Sequence, residues 1–314
     1  MPTLPDTARR FGTIALVGRY QSTGVAGALD EITRFLQGRG LEVMLESGTA
    51  QAIGRTDLPH APAAELGRQA DLAVVVGGDG TMLGVAREVA VASDIPLVGI
   101  NHGRLGFVTD VPLACWHEAL AQILDGRYEA SARTLLAARV MRGDTCVFSA
   151  NAMNDVVVTR GQSGRMVEVI VHVDDLYMNT QRADGLIVAT PTGSTAYALS
   201  AHGPILHPDL PGMVLVPVAP QSLSNRPIVL PDTSSICIRV TEARDAQVNC
   251  DMQQFASLLP GDRIVVERAR CRVTFLHPPG WSYYATLRGK LNWHAMPAER
   301  EAPRAADASP GAAD

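Results

Sequence analysis

The chain has 314 residues, enough for two domains with cores of their own, and 46% of them are hydrophobic against 19% charged, a globular balance. Its 27 basic and 32 acidic side chains leave a net charge of −5, which argues against a face built to neutralise nucleic-acid phosphates. No apolar run reaches the roughly eighteen residues of a membrane span, MPTLPDTARRFG lacks a signal peptide's apolar core, and the five cysteines show no Cys-x-x-Cys pair or zinc spacing, so the expectation is a cytoplasmic protein with reduced, mostly buried thiols and no membrane or nucleic-acid partner.

In chain order, FGTIALVG reads as a first strand over Gly12 to Val17. Leu29, Ile32, Phe35 and Leu36 then recur at helical spacing, which predicts a helix over Ala28 to Leu36. GRGLEVMLE supplies a glycine stop at Gly38 or Gly40 and a second strand. Residues 50–70, rich in Ala and Pro, read as a variable connection. The unbroken apolar run Leu72 to Val76 suggests a strand covered on both faces. A helix over Met82 to Ala92 and a strand over Ile95 to Ile100 continue the alternation, which predicts an α/β layer with a parallel sheet.

After Tyr128 the texture changes. Short β-rich runs such as MVEVIVHVDD, DGLIVAT, MVLVPVA and DRIVVERA alternate polar with apolar residues, as in antiparallel strands with one solvated face. The expected division is an α/β domain over 1–128, a mostly β domain over 129–276, a short helical segment over 277–298 that packs back on the first domain, and a disordered tail over 299–314.

The sharpest motif is Gly77-Gly78-Asp79-Gly80-Thr81, between an apolar strand and a helix. Glycines there let backbone amides approach an anion, and a helix N-terminus favours phosphate. This is neither the dinucleotide fingerprint Gly-x-Gly-x-x-Gly nor a P-loop. The charge of Asp79 would repel phosphate, so it fits better as a base for a hydroxyl or as a magnesium ligand. The plain alternative is a helix N-cap above a glycine turn.

Asn101-His102-Gly103-Arg104-Leu105-Gly106-Phe107 follows the next strand. The two loops are expected to share the carboxyl edge of the sheet, where open α/β sheets bind ligands; an ordinary turn explains the same residues. Asn154-Asp155 could grip ribose hydroxyls or form an Asx turn. In Asp184-Gly-Leu-Ile-Val-Ala-Thr-Pro-Thr-Gly-Ser-Thr-Ala-Tyr197, a strand runs into a hydroxyl-rich loop and a short helix. Arg165 and Arg182 could each meet phosphate or sit in a surface ion pair. The histidines form no metal cluster, and Ser194 lacks the setting of a hydrolase nucleophile.

Taken together, GGDG at 77–80, NxGxLGF at 101–107, AMNDVVV at 152–158, DGLIVATPTGSTAY at 184–197, HGPILHP at 202–208, LSNRPIV at 223–229 and Cys250-Asp251-Met252-Gln253 resemble the bacterial NAD kinase family over about residues 10–295. GGDG alone is shared with diacylglycerol-type lipid kinases and phosphofructokinases; TPTGSTAY singles out this family. The resemblance implies the NAD kinase/diacylglycerol kinase-like two-domain fold, a homodimer or homotetramer, and NAD and ATP as substrates. A divalent cation, Mg2+, would arrive with ATP rather than in a protein metal site.

Residue by residue, the resemblance makes Asp79 the general base with Gly80 beside it in the NAD site, and Asn154 and Asp155 the pair that holds the adenosine portion. Arg165, Arg182 and Asp184 match nucleotide contacts. Thr195, Ala196, Tyr197, Ala198, Leu199 and Ser200 match the loop and helix start around the substrate, and Gln253 a late contact. Gly77, Gly78 and Thr81 are phosphate-loop candidates. Two departures stand out: Asp155 where the family usually has Glu, and Asp251-Met252-Gln253 where many members read Asp-Gly-Gln. The implied reaction has Asp79 take a proton as the 2′-hydroxyl of the adenosine ribose attacks the γ-phosphorus of ATP. A lipid or sugar kinase on the same GGDG loop, a non-catalytic NAD(P) sensor and an NAD-dependent dehydrogenase are the rivals; the first is opposed by TPTGSTAY, the second by retention of Asp79, and the third by the missing glycine fingerprint.

Overall fold

The computed structural model describes residues 11–18, 24–103, 106–161, 164–242 and 245–293. Arg104, Leu105, the N-terminal segment and the expected tail over 299–314 lie outside them.

The first half alternates as expected. Strand β1 (Thr13–Gly18) leads to α1 (Val25–Gly38), whose buried stripe includes Leu29, Ile32 and Leu36. Gly40, at φ 75°, turns the chain into β2 (Glu42–Glu46). Residues 50–70 are more ordered than their composition suggests. They contain the end of α2 (Ser47–Ile53), strand β3 (His60–Ala61) and α3 (Ala63–Gln69). Helices of seven residues span under two turns, too short for a legible period. The start of α2 is fixed by Glu46, whose carboxylate accepts from the amides of Gly48 and Thr49.

Strand β4 (Leu72–Gly77) is buried along its whole length. It enters α4 (Asp79–Ala92), which begins three residues before the expected start, with Gly78 as its cap residue. Strand β5 (Leu97–Asn101), the short β6 (Val111–Pro112) and α5 (Trp116–Leu124) complete the layer. The parallel order is β3-β2-β1-β4-β5. One face of the sheet packs on α1 and α5, the other on α3 and α4. A fully buried leucine such as Leu29 or Leu72 contributes about 1.5–3 kcal/mol relative to exposure.

The second half is antiparallel. It comprises β7 (Glu129–Arg142), β8 (Thr145–Ala152), β9 (Asp155–Thr159), β10 (Val167–Val173), β11 (Leu176–Ala183) and β12 (Gly185–Ala189). After α6 (Tyr197–Ser200) come β13 (Gly212–Val218), β14 (Ile228–Pro231), β15 (Ile236–Glu242), β16 (Gln247–Cys250), β17 (Gln254–Ser257) and β18 (Arg263–His277), then α7 (Tyr283–Leu291). One sheet runs β14-β13-β12-β9-β16-β17. The strands β11-β10-β15-β18, with β7 and β8, face it across a core rich in valine and isoleucine.

The long β18 ties the halves together. It pairs with β7 along most of its length, with β15 near its start, and with β5 in parallel at Phe275 and Leu97. One twelve-stranded sheet therefore crosses the change of texture at residue 128. All five cysteines are free, but only Cys250 is buried. Cys115 and Cys146 are exposed, because Cys115 ends a surface turn and Cys146 lies on an outward position of β8. Among the described residues no helix is long and apolar enough to cross a membrane.

Candidate active site

Strands β4 and β5 end side by side, Gly77 opposite Asn101, so both glycine-rich loops leave the same carboxyl edge. Asp79 is the first residue of α4 rather than its cap. Its Oδ1 accepts from the amides of Val108 (3.2 Å) and Thr109 (3.1 Å) and from the Thr109 hydroxyl (2.8 Å); its Oδ2 accepts from the amide of Phe107 (2.8 Å). A carboxylate oxygen offers about two lone-pair sites, so Oδ2 retains acceptor capacity for a hydroxyl. Gly106 makes the arrangement sterically feasible, since a Cβ there would lie 1.9 Å from Asp79 Oδ1. Among the described residues nothing accepts from the amides of Asp79 and Gly80, which open the fourteen-residue α4 and suit an anion. Gly77 serves a different need: a Cβ there would crowd the Thr81 hydroxyl at 2.8 Å.

A second carboxylate organises the other domain. Asp251 Oδ1 accepts from the amides of Asn154 (2.7 Å) and Asp155 (3.1 Å), and Oδ2 from Met153 (2.9 Å) and Arg87 Nη1 (2.5 Å). Arg87 comes from α4 and also donates to Gln253 Oε1, while Gln253 Nε2 donates to the Gly80 carbonyl at 2.9 Å. The GGDG helix is thereby tied to the Asn154-Asp155 segment. Asp251 and Met252 both have positive φ, 52° and 56°, in the turn between β16 and β17. Asp155 is 3% exposed, and its Oδ1 has no partner. Burial, and after it the charge of Asp251, push its carboxyl up to about 7.

The hydroxyl-rich loop is knitted to the same place. Thr190 donates its hydroxyl to the Met153 carbonyl at 2.6 Å and its amide to that of Asn154 at 2.9 Å. A Cβ on Gly193 would lie 1.9 Å from the Asn154 carbonyl, which explains the glycine. Ser194 is fully buried and bonded to Pro191 and Leu206, a structural role. Beyond the loop, Asp184 and Tyr197 line an open polar cavity of about 460 Å3 with Arg160, Thr159 and Gln247.

The sequence-derived residues thus fall into distinct places. Asp79, Gly80, Asn154, Asp155 and Gln253 converge through the Arg87–Asp251 link; Asp184 and Tyr197 share the polar cavity. Thr195 lines a small cleft with Thr192. Ala198 is a core residue beside Val157 and Ile187, while Ser200 opens onto a different surface cavity, near Pro217 and Arg226. Arg182 is paired with Glu168 (2.5 Å) and Glu242 (3.6 Å), and Arg165 is exposed. Sequence reasoning passed over Arg87, Asp251 as a hub, and Arg160, which pairs with Asp184 at 2.8 Å. Asp251 lay within a quoted motif; Arg87 lies mid-helix with no local signal.

Fold and site define a two-domain protein with two glycine-rich loops at the carboxyl edge of a parallel sheet. Residues 14–128 match the family model described as ATP-NAD kinase N-terminal domain, and residues 153–277 the ATP-NAD kinase C-terminal domain. The chain belongs to the ATP-NAD kinase family. It is 56% identical over 289 residues to NAD kinase of Cupriavidus pinatubonensis, covering 92% of this chain and 94% of that one. It is 56% identical over 299 residues to NAD kinase of Ralstonia nicotianae, covering 95% and 99%. Its fold is similar to that of an Archaeoglobus fulgidus NAD kinase in complex with ATP, with TM-score 0.70, 26% identity, and coverage of 89% and 98%. It also resembles yeast NADH kinase complexed with NADH, with TM-score 0.84 and coverage of 92% and 89%; at 23% identity this likeness speaks to fold alone.

Proposed function

We infer that the chain transfers the γ-phosphoryl group of ATP to the 2′-hydroxyl of the adenosine ribose of NAD, forming NADP. The observation that carries this reading is Asp79, held by four hydrogen bonds at the sheet edge with Oδ2 able to accept one more. The 2′-oxygen bonds to the γ-phosphorus as the bond to the β,γ-bridging oxygen breaks and ADP leaves; the hydroxyl proton passes to Asp79 Oδ2. Carboxylates are weak bases at neutral pH, so the rate depends on positioning and on donors for the phosphoryl oxygens. The first-turn amides of α4, with Gly77, Gly78 and Thr81 shaping the turn, are such donors. Asn154 and Asp155 take the adenosine ribose, and Asp184, Thr195 and Tyr197 the rest of NAD; Ala196, Ala198, Leu199 and Ser200 stay as positions implied by the family, with Ala198 in the core and Ser200 on a separate cavity. Arg165, Arg182 and Gln253 stay in this assignment as contacts implied by the family; Arg182 would have to exchange Glu168 for the ligand.

Use of ATP implies a divalent metal ion, taken here as magnesium. Among the described residues no group of three or more His, Cys, Asp or Glu side chains is arranged to hold one, and Asp79 has no second carboxylate or histidine beside it to complete such a group. The protein's donor set does not fit a resident cation, so the ion is assigned to the nucleotide. The division near residue 128 is supported by the end of α5 at Leu124 and the start of antiparallel pairing at Glu129. A homodimer or homotetramer in the cytoplasm completes the proposal. The test is NADP formation from purified protein, NAD, ATP and a magnesium salt, read by an NADP-specific dehydrogenase. Folded protein that binds NAD and makes no NADP would refute it.

A further inference from the structure

Arg133 stands apart from the groups used so far. It lies on β7 opposite Val273 and is 4% exposed. Its Nε is buried without a partner, and no described residue accepts a hydrogen bond from its guanidinium. The surrounding charges do not satisfy it. Asp110 and Asp209 act on it only through space. Asp110 is taken by His277 Nδ1 at 2.7 Å, and His277 Nε2 in turn meets Ser131 Oγ at 2.8 Å. A guanidinium cannot escape burial by losing its proton, and a buried one without a hydrogen-bonded counter-ion destabilises the fold.

A cleft explains why such a group is kept. Arg133 lines it with Phe107, Val108, Thr192, Thr195 and Tyr283. Phe107 and Val108 supply two of the amides that hold Asp79, and Thr192 and Thr195 belong to the hydroxyl-rich loop. The cleft holds about 10 Å3, the room of one water, so an occupant must part its walls. We propose that Arg133 and the threonine hydroxyls form a seat for a phosphate group of a bound nucleotide, closed in the free protein and opened by the anion. Planar forked donors suit phosphate oxygens; the Thr192 hydroxyl lines the same cleft, and that of Thr195, which donates to the Thr192 carbonyl at 3.0 Å, would turn to the anion. The proposal rests on the phosphotransfer reading and assigns it a cationic contact that the GGDG loop does not supply.

The experiment uses full-length protein, calorimetric titration with metal-free tripolyphosphate, and steady-state kinetics in both substrates. Arg133→Met is expected to weaken tripolyphosphate at least tenfold, to raise one KM at least tenfold, and to leave the melting temperature of the free protein equal or higher. Arg133→Lys should recover part of the affinity. A rise in KM for ATP places the donor's phosphates in the seat; a rise in KM for NAD places the acceptor's diphosphate there. Unchanged tripolyphosphate affinity with both KM values unchanged overturns the proposal, as does a lowered melting temperature with unchanged affinity. If Arg133→Met does not fold, Thr192→Val with Thr195→Val must weaken tripolyphosphate, or the proposal falls. Absence of NADP from the unmodified protein would refute the phosphotransfer reading, while the titration would still decide the seat.

Discussion

Asp79 and Asp251 solve the same local problem with opposite outcomes. Each carboxylate accepts from three successive backbone amides, 107–109 for Asp79 and 153–155 for Asp251, and so fixes a loop that follows or precedes a strand. The fourth partner differs. Asp251 takes the Arg87 guanidinium and is sealed, with its side chain 0% exposed. Asp79 takes only the Thr109 hydroxyl, bonds no cation among the described residues, and remains partly open. A neutralised, closed carboxylate welds two domains; a partly open one at the sheet edge keeps an acceptor site on Oδ2.

The largest expected effect breaks the open member of the pair. Asp79→Asn should lower kcat by about 10^2–10^4-fold while NAD affinity, measured by titration, changes only a few-fold; unchanged turnover in a folded variant would remove Asp79 as base. Gly106→Ala attacks the same cage from outside, and a misplacement of about 1 Å should cost around 10^2-fold in kcat. Breaking the closed member should act on stability instead. Arg87→Ala leaves Asp251 buried and uncompensated, an expected loss of about 3–5 kcal/mol by urea unfolding; a loss below about 1 kcal/mol would mean the link is ornamental.

Asp155 sharpens the comparison through pH. Its carboxyl is pushed up from the ordinary 3.8 to about 7. Between those values the folded chain holds a proton that the unfolded chain has released, so this group's contribution to stability falls as pH rises through that window and is flat above it. Asp155→Asn should flatten that slope and raise stability at pH 8 by up to about 4 kcal/mol, at the expense of NAD affinity. A variant that keeps the slope would place its origin elsewhere. The smallest effect concerns Met252, a left-handed residue with an exposed side chain. Met252→Gly should stabilise by about 1 kcal/mol, visible as a modest rise in melting temperature with unchanged kcat.

The strands and helices of the first domain were legible because period and punctuation are local: an unbroken apolar run at Leu72–Val76, a 3–4 stripe in α1, glycine at the stops. The region over residues 50–70 was not, because its two seven-residue helices are too short to show a period. Asp79 could be singled out because a charge in a phosphate-type turn is chemically odd where it stands. Its four partners could not, since three are plain amides some thirty residues away and any residue type would supply them.

By itself the sequence determined the α/β-then-β order, the GGDG edge and the family, since each is written in neighbouring residues. Tertiary structure alone decided that Arg87 meets Asp251 across 164 positions, that β18 joins both halves into one sheet, that Arg182 faces Glu168, and that Arg133 is buried without a partner among the described residues. Those outcomes depend on which distant groups are left facing each other once the core has closed, and on how little water remains to satisfy them.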